Sequence, residues 1–223
     1  MQQTIAKSFK DLFSGAVLAF MVKSTIISLA ITTVVVWLVN DMLAGFVKGY
    51  LSWIPWEWAQ TSGAAVATVA IAYTIFILIH AIVTSLMIEP LLIKLAQRSY
   101  PDVPVVGTAD ITTSVLLSLK AGAVFLLLFL FTFPLMFIPL FGAVWMLWLW
   151  SILLKEPTLY DVTSLFFKER KEALNTYKKG TTLLAMIASG LNYIPVLNIF
   201  SPVFAQILFL HHVLYSEQLT INN

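Results

Sequence analysis

Residues 137–142, Phe-Ile-Pro-Leu-Phe-Gly, and residues 193–198, Tyr-Ile-Pro-Val-Leu-Asn, each place an Ile-Pro turn in the middle of a hydrophobic stretch. The first stretch, 121–154, has 34 residues without a charge, and the second, 181–210, has 30. One bilayer crossing takes about 20 residues, so each stretch is too long for one crossing and too short for two with a turn. The arms around the first turn, of about 12 or 13 residues, would be roughly 18 to 20 Å long against a hydrocarbon core of about 30 Å. The sequence therefore predicts two re-entrant helical hairpins.

The composition indicates the class of protein. Of the 223 residues, 60% are apolar and only 11% are charged. Soluble globular domains are about 45–50% apolar, so an integral membrane protein is predicted, with the lipid bilayer as its surroundings. The formal net charge of +2 gives no reason to expect a nucleic-acid partner. The absence of cysteine excludes disulfides and thiolate metal sites.

Two further segments have the length of ordinary transmembrane helices. Residues 24–40 and 59–88 are apolar, and 17 residues at about 1.5 Å each just span the core. The tryptophans between them predict an aromatic belt at the membrane surface; they are Trp53, Trp56 and Trp58. Residues 1–22 have apolar residues at helical spacing opposite Lys7 and Lys10, which predicts an interfacial helix.

The charged region between the two hairpins predicts an amphipathic helix over 158–179. Thr158 and Asp161 have the spacing of a capping box, and Gly180 has the character of a residue that follows a helix end. The whole chain, 1–223, is predicted to be a single membrane domain. Its fold class is all-α, with two full transmembrane helices, two proline-broken re-entrant (hemi-penetrating) hairpins and one amphipathic cytoplasmic helix.

The distribution of basic residues predicts an orientation. Lys48 alone lies between the two spans, and the other 12 of the 13 basic residues lie on the opposite side. Positive residues favour the cytoplasmic side, so the N-terminus is predicted to be cytoplasmic. Both hairpins would then enter from the cytoplasm, although two full crossings apiece would place the charged loops identically.

The broken stretches are candidates for a pathway through the membrane. Irregular backbone is tolerated at membrane depth where protein or a watery cavity satisfies it, and paired interrupted segments are typical of transporter sites. The second arms would begin after Gly142 and Pro202, and their free amides and positive dipole ends would suit an anion. The alternative is a pair of kinked helices that merely pack against neighbours. Candidate residues in the turns are Pro139, Gly142, Asn192, Pro195, Asn198, Ser201 and Pro202.

Two ionisable residues in the spans have both a functional and a structural interpretation. His80 lies within the second span with Thr84 one turn later, and it could serve a pathway or simply bond a neighbouring helix. Lys23 begins the first span, where it could attract an anion or extend to the lipid headgroups. The asparagines and the serine of the second turn could cap a helix end or contact an ion.

Signatures of enzymes do not occur in the sequence. It has no HExxH, no GxSxG and no glycine-rich phosphate loop, so we expect neither catalysis nor a bound cofactor. His211 and His212 point about 100° apart on a helix, which makes a poor metal site, and interfacial anchoring is the interpretation that the sequence favours.

The pattern of segments resembles the CysZ-type sulfate permeases and the wider etoposide-induced-protein family. The closest correspondence is residues 194–205, Ile-Pro-Val-Leu-Asn-Ile-Phe-Ser-Pro-Val-Phe-Ala, followed by Phe137-Ile138-Pro139 with Gly142 and by Pro90-Leu91-Leu92. The resemblance implies two full spans, two hemi-penetrating hairpins, a homo-oligomer, and sulfate uptake across a bacterial inner membrane.

One element of the permeases is missing from this chain. The permeases carry a Gly-x-Arg-Arg element near the first span, whereas here Gly15 is followed by Ala16, Val17 and Leu18. Paired arginines are well suited to a tetrahedral dianion because their donors form a fork.

The leading hypothesis is an anion pathway with sulfate as first candidate. Its rival is a membrane scaffold whose amphipathic helix docks a partner.

Overall fold

The computed structural model describes residues 2–52 and 55–221, and within them the fold is all-helical, without strands, as predicted. Three short 3-10 helices occur at Phe133–Phe137, Gly190–Tyr193 and Leu197–Phe200. The α-helices are α1 Gln2–Leu12, α2 Gly15–Leu51, α3 Glu57–Met87, α4 Glu89–Ser99, α5 Ile111–Thr132, α6 Phe141–Phe166, α7 Arg170–Tyr177, α8 Thr181–Ser189 and α9 Ser201–Ile221.

Four segments of the described residues are long and apolar enough to cross a membrane. They are Gly15–Gly49, Gln60–Met87, Ile111–Thr132 and Leu197–Gln218. The chain is therefore a multi-pass membrane protein. The first two segments contain nearly all of the predicted spans 24–40 and 59–88.

The helices form two compact units. One unit contains residues 1–18 and 88–223, and the other contains residues 19–87. In the first unit, α9 is the central helix: α1, α4, α6 and α8 pack against it, and α5 packs against α6. Side chains from Val203 to Leu210 are almost all fully buried, which explains why an apolar helix is needed there. The prediction of a single membrane domain stays a prediction.

The N-terminal segment 1–22 differs from the single interfacial helix predicted. Helix α1 ends at Leu12, and α2 begins at Gly15 because the carbonyl of Ser14 accepts the amide of Leu18 at 2.9 Å. The buried face of α1 is also mainly polar, since Thr4, Ser8, Asp11 and Leu12 point into the unit.

The second span ends where the sequence predicts. The connection between the two spans differs from the prediction. Helix α3 ends at Met87, and Pro90 lies in the first turn of α4. Helix α2 continues to Leu51, 11 residues past Asn40, where the first span was predicted to end. Trp56 and Trp58 are exposed, as an aromatic belt requires, and Trp53 lies outside the described residues.

The helices of the first hairpin are longer than the sequence predicts. Helix α5 begins at Ile111 because Asp110 caps it: the Asp110 carboxylate accepts the Thr113 amide at 2.8 Å. Lys120 therefore lies inside α5 instead of before the arm. The two helices have 22 and 26 residues, about 33 and 39 Å at 1.5 Å per residue, so helix length alone no longer argues for a re-entrant hairpin here.

The predicted amphipathic helix 158–179 and its capping box are wrong. Thr158 and Asp161 are buried inside α6, which continues through Pro157 to Phe166, and α7 is a separate helix of eight residues. The reason is that the Asp161 carboxylate accepts hydrogen bonds from Ser114 of α5 and Gln206 of α9 instead of capping a helix end. Gly180 does have the left-handed conformation of a residue after a helix, with φ of 82°.

Candidate functional site

The two Ile-Pro turns have the same backbone conformation. In each, a 3-10 helix is followed by an extended isoleucine, a proline and a residue with positive φ: Leu140 at 62° and Val196 at 72°. Non-glycine residues rarely adopt this region, and such a conformation costs on the order of 1–3 kcal/mol. Two apolar residues held in the same rare conformation indicate that the surrounding turn imposes it.

The hydrogen bonds of the two turns also correspond. Ile138 N donates to Leu135 O and Ile194 N donates to Leu191 O, both at 3.2 Å. Gly142 N donates to Ile138 O at 2.8 Å, and Asn198 N donates to Ile194 O at 3.1 Å. Each partner in the second turn lies 56 residues after its counterpart, since 194 − 138 and 198 − 142 are both 56. The two turns are therefore equivalent in their backbone hydrogen bonds.

The corresponding amides close the turns and are not free for an anion. The amides of Phe141 and Gly142 donate to carbonyls of the first turn, at 2.7 and 2.8 Å. The amide of Asn198 is used in the same way in the second turn. After Gly142, the amide of Val144 also donates, to Leu140 O at 3.1 Å, and the free amides of the two second arms stay a prediction. Pro202 has no amide hydrogen to offer.

Gly142 is required by the close approach of the chain to itself. A Cβ at this position would lie 2.3 Å from Met136 O and 2.8 Å from Met136 Cα. Carbon atoms in contact are normally about 3.5–4.0 Å apart, so no side chain fits there without moving backbone.

The second turn docks onto the helix that follows the first turn. Tyr193 Oη donates to the carbonyl of Ala143 at 2.5 Å, and its ring lies 5.1 Å from the ring of Trp150. Ser201 Oγ donates to Ala188 O at 3.0 Å, which ties the start of α9 to the end of α8. The two broken segments thus lie side by side within one unit.

The tips of both turns are apolar and exposed. Leu140 is 85% exposed and Val196 is 67% exposed, and Pro139 and Pro195 are exposed beside them. Asn192 and Asn198 are half-buried in the second turn. No charged residue occurs in 133–142 or 190–202. An anion at these turns would meet amide and hydroxyl groups but no cation.

A group of charged residues lies at the other end of the hairpins. Lys120 of α5 pairs with Glu156 of α6 at 3.5 Å, and Lys178 pairs with the same carboxylate at 3.5 Å. Lys155 Nζ donates to Thr182 Oγ1 at 2.8 Å, which links this group to the start of α8. We call these residues the charged belt. From the belt to the tips, neither hairpin contains a charged side chain.

A buried polar cluster joins the two hairpins. Ser114 Oγ of α5 donates to Asp161 Oδ1 at 2.6 Å, and Gln206 Nε2 of α9 donates to Asp161 Oδ2 at 3.0 Å. Burial raises the pKa of the Asp161 carboxyl above its ordinary value, and the two hydrogen bonds only partly oppose this shift. Asp161 was the predicted capping residue, and it instead links three helices.

A second buried cluster joins α1, the end of α4 and α9. His211 Nε2 lies 2.9 Å from Asp11 Oδ2, and His211 Nδ1 lies 3.0 Å from Tyr100 Oη. Since a carboxylate only accepts, the histidine donates through Nε2, and a neutral ring then accepts the Tyr100 hydroxyl at Nδ1. His211 is fully buried, so the interpretation of an interfacial anchor is wrong for it. Its partners are 200 and 111 residues away in sequence, and no local pattern could have identified them.

The remaining two candidates, Lys23 and His80, belong to the unit of residues 19–87. Lys23 is exposed. His80 is 1% exposed and lies 3.1 Å from Ser28 Oγ, with Thr84 buried one turn along α3. The Ser28 hydroxyl donates its proton to Ser24 O at 2.7 Å, so His80 Nδ1 is the donor to Ser28. The predicted polar stripe of His80 and Thr84 is thus buried, and it is extended by serines of α2.

A known protein family matches most of the chain. The family described as sulfate transporter CysZ/etoposide-induced protein 2.4 matches residues 4–202, which include both Ile-Pro turns. The chain matches no curated protein and no solved structure.

Proposed function

Because the chain belongs to the sulfate transporter CysZ/etoposide-induced protein 2.4 family, we propose that it is an oxyanion transport protein of a bacterial inner membrane. Sulfate is the first candidate substrate. The family is a transporter family, and the four apolar helices make the chain a multi-pass membrane protein.

The pair of equivalent broken hairpins is the observation that carries this proposal. Interrupted segments in corresponding positions of two repeats are typical of transporter sites. The pathway passes the turns, with Asn192, Asn198 and Ser201 as its polar groups and with Pro139, Gly142, Pro195 and Pro202 shaping it. Conduction needs binding weak enough to release the ion, and turns without cations suit weak binding.

The charged belt supports re-entrant hairpins despite the long helices. If the ion pair of Lys120 and Glu156 marks the membrane surface, the embedded arms are 121–132 and 141–154. Twelve and fourteen residues give about 18 and 21 Å, which is short of a core of about 30 Å. The first arm of the second hairpin, 181–193, is similarly short at about 20 Å. The exposed apolar tips then lie within the hydrocarbon.

In this topology the N-terminus and the charged belt lie on the cytoplasmic side of the membrane. The assembled form of the protein is a homo-oligomer. Lys23 attracts anions towards the pathway, and His80 supplies a polar group within its own unit.

The scaffold alternative depended on a free amphipathic helix over 158–179. Burial of residues 158–166 removes nine of the 22 residues of that docking surface.

Sulfate flux into liposomes tests the proposal. Purified protein should admit radiolabelled sulfate faster than empty vesicles do. Asn198→Leu should reduce the flux because it removes the side-chain amide of Asn198 from the second turn. The backbone hydrogen bond from Asn198 N to Ile194 O stays in place. No flux of sulfate or any other oxyanion above empty vesicles would refute the function, and undiminished flux in Asn198→Leu would remove that residue from the pathway.

A further inference from the structure

A cavity lies at the end of the first unit formed by α1, the C-terminus of α4 and α9, remote in sequence from both turns. Its volume is about 190 Å³, room for about six waters at roughly 30 Å³ each. A tetrahedral anion with four oxygens is smaller than this volume, so the cavity can hold it together with water molecules. The residues that line it are Gln3, Thr4, Lys7, Tyr100, Tyr215 and Gln218.

Lys7 places a partly dehydrated cation at this cavity. Its Nζ lies 4.2 Å from the centroid of the Tyr100 ring, a cation–π contact. Burial lowers the pKa of the Lys7 ammonium, and the Asp11 carboxylate one turn away partly opposes the shift. Across residues 2–52 and 55–221, Lys7 forms no salt bridge. Its three N–H donors therefore lack an anionic partner of their own.

Thr4 adds a buried hydroxyl to the same cavity. The residue is only 4% exposed, it lines the cavity, and its carbonyl accepts a hydrogen bond from Ser8 Oγ at 2.8 Å. A ligand in the cavity that accepts the proton of this hydroxyl would gain a hydrogen bond.

The position of Lys7 is fixed by the cluster of Asp11, His211 and Tyr100. The Tyr100 hydroxyl is held by His211, so the ring that Lys7 contacts cannot rotate freely. The Asp11 carboxylate is engaged with His211 at 2.9 Å, so it does not neutralise Lys7 by a direct ion pair. The cavity thus has one prearranged cation, a threonine and a tyrosine hydroxyl, and two amide side chains.

We propose that this cavity is a binding site for a tetrahedral oxyanion, either a free sulfate or phosphate ion or the phosphate of a lipid headgroup. Lys7 supplies the charge, and Thr4, Gln3, Tyr215 and Gln218 supply hydrogen-bond donors. The site stands apart from the turns, and its occupancy does not depend on transport.

Equilibrium binding of radiolabelled sulfate to the full-length protein in detergent tests the site. Lys7→Gln should weaken binding about tenfold or more, because a hydrogen bond to a charged group is lost together with the charge. Thr4→Val, which keeps the shape of the side chain, should weaken binding by a few-fold. Lys10→Gln is the matched control, since Lys10 is an exposed residue of the same helix that does not line the cavity.

Competition separates the two sources of the oxyanion. Displacement of sulfate by inorganic phosphate and by short-chain phosphatidic acid at similar concentrations supports a free-ion site, and displacement by phosphatidic acid at much lower concentrations supports a lipid headgroup site. If the folded wild type binds neither sulfate nor phosphatidic acid, or if Lys7→Gln and Lys10→Gln bind equally well, the site is refuted. Sulfate flux is measured separately, so binding without flux would retain this site and refute only the transport function.

Discussion

Replacement of Gly142 by alanine is expected to destabilise the protein through the first Ile-Pro turn. The new Cβ would lie 2.3 Å from Met136 O and 2.7 Å from Met136 C, and both atoms are backbone. Reaching ordinary contact distances of about 3.5 Å requires the turn to open by roughly 1 Å. Forced overpacking of this kind typically costs about 1–3 kcal/mol.

Thermal unfolding in detergent, followed by tryptophan fluorescence, measures the effect. For a chain of this size, about 1–3 kcal/mol corresponds to a midpoint lowered by roughly 2 to 12 °C. Gly122→Ala is the matched control, because it lies within α5 and a Cβ there has no atom within 4 Å. Alanine is favoured over glycine in a helix by about 1 kcal/mol, so the control should melt at or slightly above the wild-type temperature. A Gly142→Ala protein that melts as late as Gly122→Ala would refute the reasoning about the turn.

Three further outcomes are expected. Asp11→Leu should lower the unfolding midpoint because it leaves the buried Nε2–H of His211 without an acceptor, which costs about 1–3 kcal/mol of stability. Asp11→Asn keeps an oxygen acceptor and should lose less stability. Equal midpoints for the two variants would contradict this role of Asp11. The raised pKa of Asp161 means that the folded state holds its proton more tightly than the unfolded state, so the stabilisation is complete below about pH 3.8 and is lost as the pH rises through the raised pKa. Melting of Asp161→Asn across that range should lack this decline, and a decline identical to the wild type would assign it to another group. Single cysteines at Leu140 and Leu197 in the cysteine-free chain should resist impermeant thiol reagents added from the outer face of the membrane; labelling of both from that face would contradict hairpins that enter from the cytoplasm.

Local sequence patterns predicted the helical class and the broken segments well. Proline removes a donor and restricts the residue before it, so Pro90, Pro139 and Pro195 mark breaks that depend on few other residues. The equivalence of the two turns was not predicted in detail. It depends on positive φ at Leu140 and Val196, residue types that give no signal of that conformation.

Helix starts and buried polar residues were predicted less well, because charge was taken as a sign of exposure. Asp110 caps α5 and could have been identified from its type alone, since aspartate is a favoured N-cap. Asp161 and His211 could not, because their burial is compensated by partners on helices distant in sequence. The capping-box spacing at Thr158 illustrates the difficulty: the same pattern occurs in the middle of α6 when tertiary partners are present.

The turns through which the proposed pathway passes lack a fixed cation. The Gly-x-Arg-Arg element is replaced at Gly15 by Ala16, Val17 and Leu18, and the turns contain no charge. Lys7, at the cavity of α1 and α9, is the cation that the first unit prearranges with a ring contact.

Blocking the second turn while sulfate passes is the most direct test of the hairpin pathway. Proteoliposomes of Leu197→Cys should admit sulfate, and a bulky thiol reagent should then reduce that flux to near the level of empty vesicles. The cysteine-free wild type and Val66→Cys, a change at an exposed position of α3, should keep their flux under the same treatment. Sulfate flux that persists in fully modified Leu197→Cys would contradict a pathway past the Ile-Pro turns.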